Sequence, residues 1–365
     1  MLVYFIVALM TGLLSGLARA TRKPNARGSL SQKSLPSLAP KWNFFDFVIV
    51  IGLVCFSALR FQVGTDYAIY ALNYVQLQPG SWGSYSAQSP FDAGYSILTI
   101  VLRSVSDAPY LIFWASSILT VLPTYAAIRK WSLDPTLALL LYILLAFYVS
   151  PFNAVRQGIA AALNLWAITF LGKRTWLFIV INFLAASFHL SAALAALLQL
   201  IVRKWRPSGG IVVTTIVAAG GFAILMQFSA IRNIIGAVVP RYQVYLEGQL
   251  TGIGTYLVIA AKLGLLLYGL FLLGRNHNSR YIGLVTVGLV FLVIGTQYLS
   301  IARMEMYFGV FLIMLLPNAL VVRNVSPRAK SIQKILLILF AVIYFFVYLQ
   351  NYSGLIPYQT YLGLP

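Results

Sequence analysis

The chain has 365 residues, 60% of them hydrophobic and only 9% charged, with a formal net charge of +19. Its mean hydropathy of +0.86 is more than a soluble domain of this length can bury, which leaves a polytopic, all-α integral membrane protein. The positive charge reads as topological rather than as a nucleic-acid footprint, and the single cysteine, Cys55, excludes an internal disulfide.

Apolar runs predict about 12 transmembrane helices in a single domain over 1–365. They fall at about 2–18, 44–59, 109–128, 136–150, 157–172, 175–187, 189–202, 210–229, 253–273, 281–300, 303–322 and 332–350. The first run ends in Leu17-Ala-Arg-Ala20, which resembles a signal-peptidase site, but no basic segment precedes it, so an uncleaved helix is expected. Residues 19–43 read as a basic, polar cytoplasmic loop. Residues 60–108 form an outer loop with a Pro/Gly/Ser-rich stretch from Pro79 to Pro90 and an amphipathic helix from Gly94 to Ser104 at the interface.

Residues 175–202 cannot be one span. Twenty-eight residues at ~1.5 Å each reach roughly 42 Å, against an apolar core of about 30 Å. A single span would also invert every later loop. A break at Ser187-Phe188-His189 instead predicts a hairpin of two short helices with His189 at its tip. Residues 230–252 form a second outer loop carrying Arg232, Arg241 and Glu247. No internal repeat marks a transporter.

With these elements, 19 of the 26 Lys and Arg fall in six alternate loops: Arg19 to Lys41, Arg129/Lys130, Lys173/Arg174, Arg203 to Arg206, Arg275/Arg280 and Arg323 to Lys334. This is the positive-inside pattern, and it places both termini outside. Six of the other seven are arginines near the opposite face: Arg60, Arg103, Arg156, Arg232, Arg241 and Arg303. Each is either an interfacial snorkel or an anion clamp, since a planar guanidinium grips phosphate bidentately where an ammonium does not. Arg103 and Arg241 have the most ordinary surroundings. Arg156 and Arg303 each open a predicted helix, where the dipole also favours anions.

The outer acids are Asp66, Asp92, Asp107, Glu247 and Glu305; Asp46 and Asp134 fall inside. His189 is either a base or a hydrogen-bonded core histidine, while His277 lies solvated in a basic loop. Glu305 is either functional or simply the neighbour of Arg303. Lys262, near mid-helix, faces a cavity, pairs with an acid or snorkels. Tyrosines at 67, 70, 74, 85, 95, 352, 358 and 361 stack on sugars or form the aromatic belt. No HExxH, cysteine pair or carboxylate cluster points to a metal, no cofactor is expected, and no Gly-rich loop on the inner face points to a nucleotide.

Several segments together resemble the EpsG-like, Wzy-type polysaccharide polymerases. They are Arg60-Phe-Gln-Val-Gly64-Thr-Asp66-Tyr67 with Tyr70; Phe91-Asp92-Ala-Gly94-Tyr95; Arg156-Gln157; Phe188-His189-Leu-Ser191-Ala192; Arg303 with Tyr307-Phe308; and Pro357-Tyr358. The second departs from the family pattern, with Asp92 where Glu is usual and Ala93 where Pro is usual. The resemblance implies a glycosyltransferase of the GT-C-like type in the bacterial plasma membrane, with its site facing the periplasm or exterior. Such an enzyme moves a growing O-antigen, capsule or exopolysaccharide chain from undecaprenyl diphosphate to a hydroxyl of the next lipid-linked repeat unit. Its partners are then that oligosaccharide, membrane lipid and a chain-length regulator, with no nucleic acid.

In that chemistry His189 is the expected base, and Asp66 is the alternative base or the group that orients it. Arg60, Arg156 and Arg303, with Arg232, are expected to clamp the diphosphate. Tyr67, Gln157, Asp92, Glu305 and Tyr307 are expected to bind substrate. A ligase moving finished polysaccharide would use the same residues and differ in acceptor. A flippase or transporter needs a path from both faces, and an acyltransferase needs an inward-facing histidine.

Overall fold

A computed structural model describes residues 1–21, 42–77, 83, 91–228, 252–274, 279–351 and 354–363. The expectations placed on Arg232, Arg241, Glu247, His277, Tyr85 and Tyr352, on the Pro79–Pro90 stretch, and on most of the 19–43 and 230–252 loops lie outside these residues. Among the described residues the chain is helical and forms no strand beyond one isolated bridge, Arg60 to Thr360. It divides into two compact units: Met1–Ala193 with Leu336–Pro365, and Leu194–Ile335.

In chain order the helices are α1 (Leu2–Ala20), α2 (Phe44–Ala58), α3 (Tyr67–Gln76), α4 (Ala93–Arg103), α5 (Tyr110–Trp131), α6 (Pro135–Leu144), α7 (Val155–Ala167), α8 (Thr175–Phe188) and α9 (Ser191–Val202). Then follow α10 (Gly209–Leu225), α11 (Ile253–Leu273), α12 (Tyr281–Ile294), α13 (Leu312–Val322) and α14 (Pro327–Asn351). Five described helical segments are long and apolar enough to cross a membrane: Leu2–Ala20, Tyr110–Trp131, Gly254–Leu273, Ser300–Val322 and Pro327–Asn351. Shorter apolar helices occupy most of the other predicted spans; the 14 residues of α8 reach only about 21 Å. Large apolar side chains stand on the outer faces, among them Phe183 (80% exposed) and Ile343. A water-facing surface would not carry them so densely, and the chain is a helical membrane protein.

Three predicted helices depart furthest from those observed. The one expected over 136–150 ends at Leu144, because Ala146 takes a left-handed φ of 65° and a 3-10 turn with Pro151 follows. The one expected over 281–300 ends at Ile294; Gly295 then lies so close to the Ala302 backbone that a Cβ has no room. The one expected to open at Arg303 is an α-helix only from Leu312, preceded by 3-10 turns at Arg303–Tyr307 and Gly309–Phe311. That tighter winding brings Glu305 against Gly309, where a Cβ would overlap its carboxylate.

The first unit is ordered by buried polar contacts at both ends of its helices. Asp46 caps α2 through a capping box with Asn43, accepts from Tyr125 Oη at 2.5 Å and pairs with Arg129 at 3.4 Å. Arg129, one of the basic residues expected in the inner loops, is thus buried. At the other end the C-terminal residues strap the turn after α2. Phe61 N donates to Gln359 O at 2.8 Å, Gly64 N to Gly354 O at 2.6 Å and Tyr361 N to Leu59 O at 3.2 Å. These bonds satisfy the polar groups of a turn that lacks helical partners of its own. Tyr4, Phe56, Tyr358 and Phe345 interlock beneath the strap, with Phe56 and Tyr358 stacked at 4.3 Å. Such aromatic pairs contribute ~0.5–1.5 kcal/mol each.

Candidate active site

The site begins with the helix break inside residues 175–202. The α8 helix stops at Phe188, His189 is extended (φ −159°, ψ 115°), and α9 resumes at Ser191. The break falls where the length argument placed it. The start of α4 comes up against the end of α8. A Cβ at Gly94 would strike Ser187, so only glycine lets the two ends approach this closely.

Asp92 is the N-cap residue of α4, yet its carboxylate does not cap the helix. It turns to two other groups, accepting from Arg156 NH1 at 2.6 Å and lying 3.5 Å from His189 Nδ1. Arg156 sits in the first turn of α7, as the sequence predicted. Its Nε donates to Tyr70 Oη at 3.4 Å and its guanidinium lies 4.7 Å over the Phe91 ring. Burial raises the Tyr70 hydroxyl above the usual phenol range despite the neighbouring Arg156, so Tyr70 stays protonated. The Asp92, Arg156 and His189 side chains are 22–32% exposed, so the cluster is shielded yet reachable.

The turn before α3 packs on the same end of α7. Gly64 adopts φ 98° with no room for a Cβ against Phe152 O, and Thr65 N donates to Asn153 Oδ1 at 2.9 Å. This places α3 so that Tyr70 meets Arg156. Gly158 in α7 lies against Pro151 in the same tight manner.

The structure separates the other candidates. Asp66 is half-buried with Thr65 Oγ1 at 3.4 Å; the carboxylate beside His189 is that of Asp92. Tyr67 is stacked face to face on Phe113 at 4.2 Å, so that ring face is not open to a sugar. Gln157 is buried in α7. Arg60 is 2% exposed, wedged between Phe113 and Phe152, and presents no surface to a lipid diphosphate in this conformation.

Arg303, Glu305 and Tyr307 belong to the Leu194–Ile335 unit. Arg303 is exposed on a 3-10 turn, so the helix-dipole argument applied to it on sequence does not hold. Glu305 pairs with Lys262 at 2.5 Å, both side chains nearly buried. Of the readings open for Lys262, the ion pair is the one adopted. Tyr307 is buried, and its carbonyl accepts from Gln199 Nε2 at 3.4 Å.

The sequence reading missed the bridging role of Asp92 and the part played by Tyr70 and Phe91. Only the short spacing from Asp92 to Gly94 hinted at a close approach. Among the described residues no three His, Cys, Asp or Glu side chains converge as metal ligands, and the positive charge at this cluster is that of Arg156. The arrangement offers a partly shielded imidazole with a carboxylate 3.5 Å from its Nδ1, next to a guanidinium that can meet an anion.

Neither the curated proteins nor the solved structures offer a match to this chain. The EpsG family model matches residues 43–360, which include every element of the cluster, and the chain belongs to the EpsG family.

Proposed function

We propose that the protein extends a polysaccharide by transferring the growing glycan from a lipid diphosphate to a hydroxyl of a lipid-linked repeat unit. Family membership indicates a polysaccharide-polymerase role of the glycosyltransferase kind in general. The observation that carries the finer reading is the Asp92 carboxylate shared between Arg156 and His189.

The chemistry follows from what each group can do. Asp92 favours the tautomer with its proton on Nδ1 of His189, which leaves Nε2 as the base. The acceptor oxygen bonds to the anomeric carbon, its proton passes to Nε2, and the bond from that carbon to the phosphate oxygen breaks. The lipid diphosphate leaves with the electron pair. Arg156, held at NH1 by Asp92 and at Nε by Tyr70, offers NH2 to a departing phosphate oxygen. A preorganised cation of this kind stabilises developing charge without reorganisation. Direct displacement inverts the anomeric centre. The 3.5 Å contact at Nδ1 is loose, as free enzymes commonly are before substrate closes the site.

The fuller picture keeps about twelve membrane passes, with the shorter helices crossing in pairs or through thinned bilayer. The cluster then faces the outer side of a bacterial plasma membrane. The donor carrier is undecaprenyl diphosphate, and a chain-length regulator is a partner. The test is incubation of purified protein with a lipid-diphosphate-linked oligosaccharide repeat. A product ladder spaced by one repeat, with release of free lipid diphosphate, is the expected result. No ladder, with movement of the intact lipid across vesicles, would replace polymerisation by transport.

A further inference from the structure

We infer that the buried guanidinium of Arg60 is the cation of a built site for one monoatomic anion of the chloride class, inside the unit that holds the catalytic cluster. Arg60 is 2% exposed, and among the described residues no carboxylate pairs with it. Its NH1 donates to Ser57 O and, at 3.2 Å, to Ser57 Oγ. Its Nε has no hydrogen-bond partner. The Ser116 hydroxyl is equally buried and equally unpartnered. Arg60 and Ser116 line one cavity, together with Ser57, Ser117, Thr120 and Tyr148.

Three other hydroxyls of that cavity are already committed as donors, and Ser57 Oγ already accepts from Arg60 and Ser117. Ser117 donates to Ser57 Oγ at 2.8 Å, Thr120 to Ser116 O at 2.8 Å and Tyr148 to Leu53 O at 2.5 Å. Arg60 Nε and the Ser116 hydroxyl are thus buried donors left without an acceptor beside one positive charge, which asks for a ligand that accepts hydrogen bonds and is itself negative. The Phe113 and Phe152 faces, 5.0 and 4.5 Å from the guanidinium carbon, supply polarisation but no countercharge. A water molecule would satisfy the donors and leave the buried ion uncompensated, which is strongly unfavourable.

Burial pushes the guanidinium down to about 10, so it is still protonated at neutral pH and its charge must be met. The cavity has room for about one water-sized particle. A tetrahedral phosphate is excluded, while a halide, only somewhat larger than water, enters once the lining side chains give way slightly. An ion there would also brace the strapped turn from Leu59 to Gly64, which leads into α3 and Tyr70. The inference does not depend on glycosyl transfer, since its readout is binding and folding.

The experiment measures melting of the purified protein in detergent at constant ionic strength, with chloride, bromide, gluconate or inorganic phosphate as the anion. It is paired with anomalous diffraction from bromide-soaked crystals. The halides should raise the melting temperature saturably, and a bromide peak should lie within hydrogen-bond reach of Arg60 Nε and Ser116 Oγ. Ser116→Ala should weaken apparent halide affinity about fivefold, the worth of one hydrogen bond. Ser116→Asp, with a built-in countercharge, should melt independently of halide. Equal melting in all four anions, no bromide peak at saturation, or a phosphate effect equal to that of chloride would each overturn the inference. The wild-type bromide measurement decides the matter even if a Ser116 variant fails to fold.

Discussion

Asp92→Asn separates a catalytic role from a structural one at the proposed site. The carboxylate accepts from Arg156 NH1 at 2.6 Å and lies 3.5 Å from His189 Nδ1, with 27% of its side chain exposed. At that exposure solvent screens the Arg156 pair, whose loss should cost only about 0.5–1 kcal/mol of stability. The consequence for the imidazole is larger. An amide nitrogen turned toward Nδ1 selects the tautomer protonated at Nε2, where the acceptor proton has to go. Comparable losses of an oriented base lower turnover by roughly 10²–10⁴, which is ~3–5.5 kcal/mol of barrier. The assay is the initial rate of repeat addition at saturating acceptor, with thermal melting as a control. The expected result is a large fall in turnover, little change in melting, and partial recovery in Asp92→Glu, whose longer side chain still carries the charge. Turnover within about threefold of wild type would refute the orientation argument.

Three further outcomes follow from the geometry. Lys262→Met leaves the Glu305 carboxylate buried without its partner and should destabilise the fold by about 3–5 kcal/mol; Lys262→Met with Glu305→Gln should recover most of that loss in denaturant melts. Gly94→Val drives a side chain into Ser187 and should lower activity about tenfold or more by pulling Asp92 from His189, whereas Gly52→Ala, with open space around it, should leave the rate unchanged. Arg156→Lys keeps the charge but cannot hold Asp92, Tyr70 and a phosphate together, so repeat addition should slow by about tenfold or more; an unchanged rate would sink the clamp role.

Much of the architecture is legible in one dimension because hydropathy and charge act locally along a chain. The apolar runs marked the helices, and the length of 175–202 against a bilayer required the break that leaves His189 extended at the end of α8. Arg156 lies in the first turn of α7 because the residues around it carry that local signal. The turns from Ile294 to Leu312 resisted the same reading, since the stretch is largely apolar on both sides of Arg303 and Glu305 and has no proline to mark a stop. Their winding is instead governed by close packing at Gly295 and Gly309. Partnership of charges was not legible either. That Asp92 rather than Asp66 meets His189, that Glu305 meets Lys262, and that Arg60 lies sealed between two phenyl rings are facts of approach between distant segments. Residue type set which side chains are able to react; helix ends brought within contact by glycines, and a C-terminal strap bonded across the turn after α2, decided which of them meet.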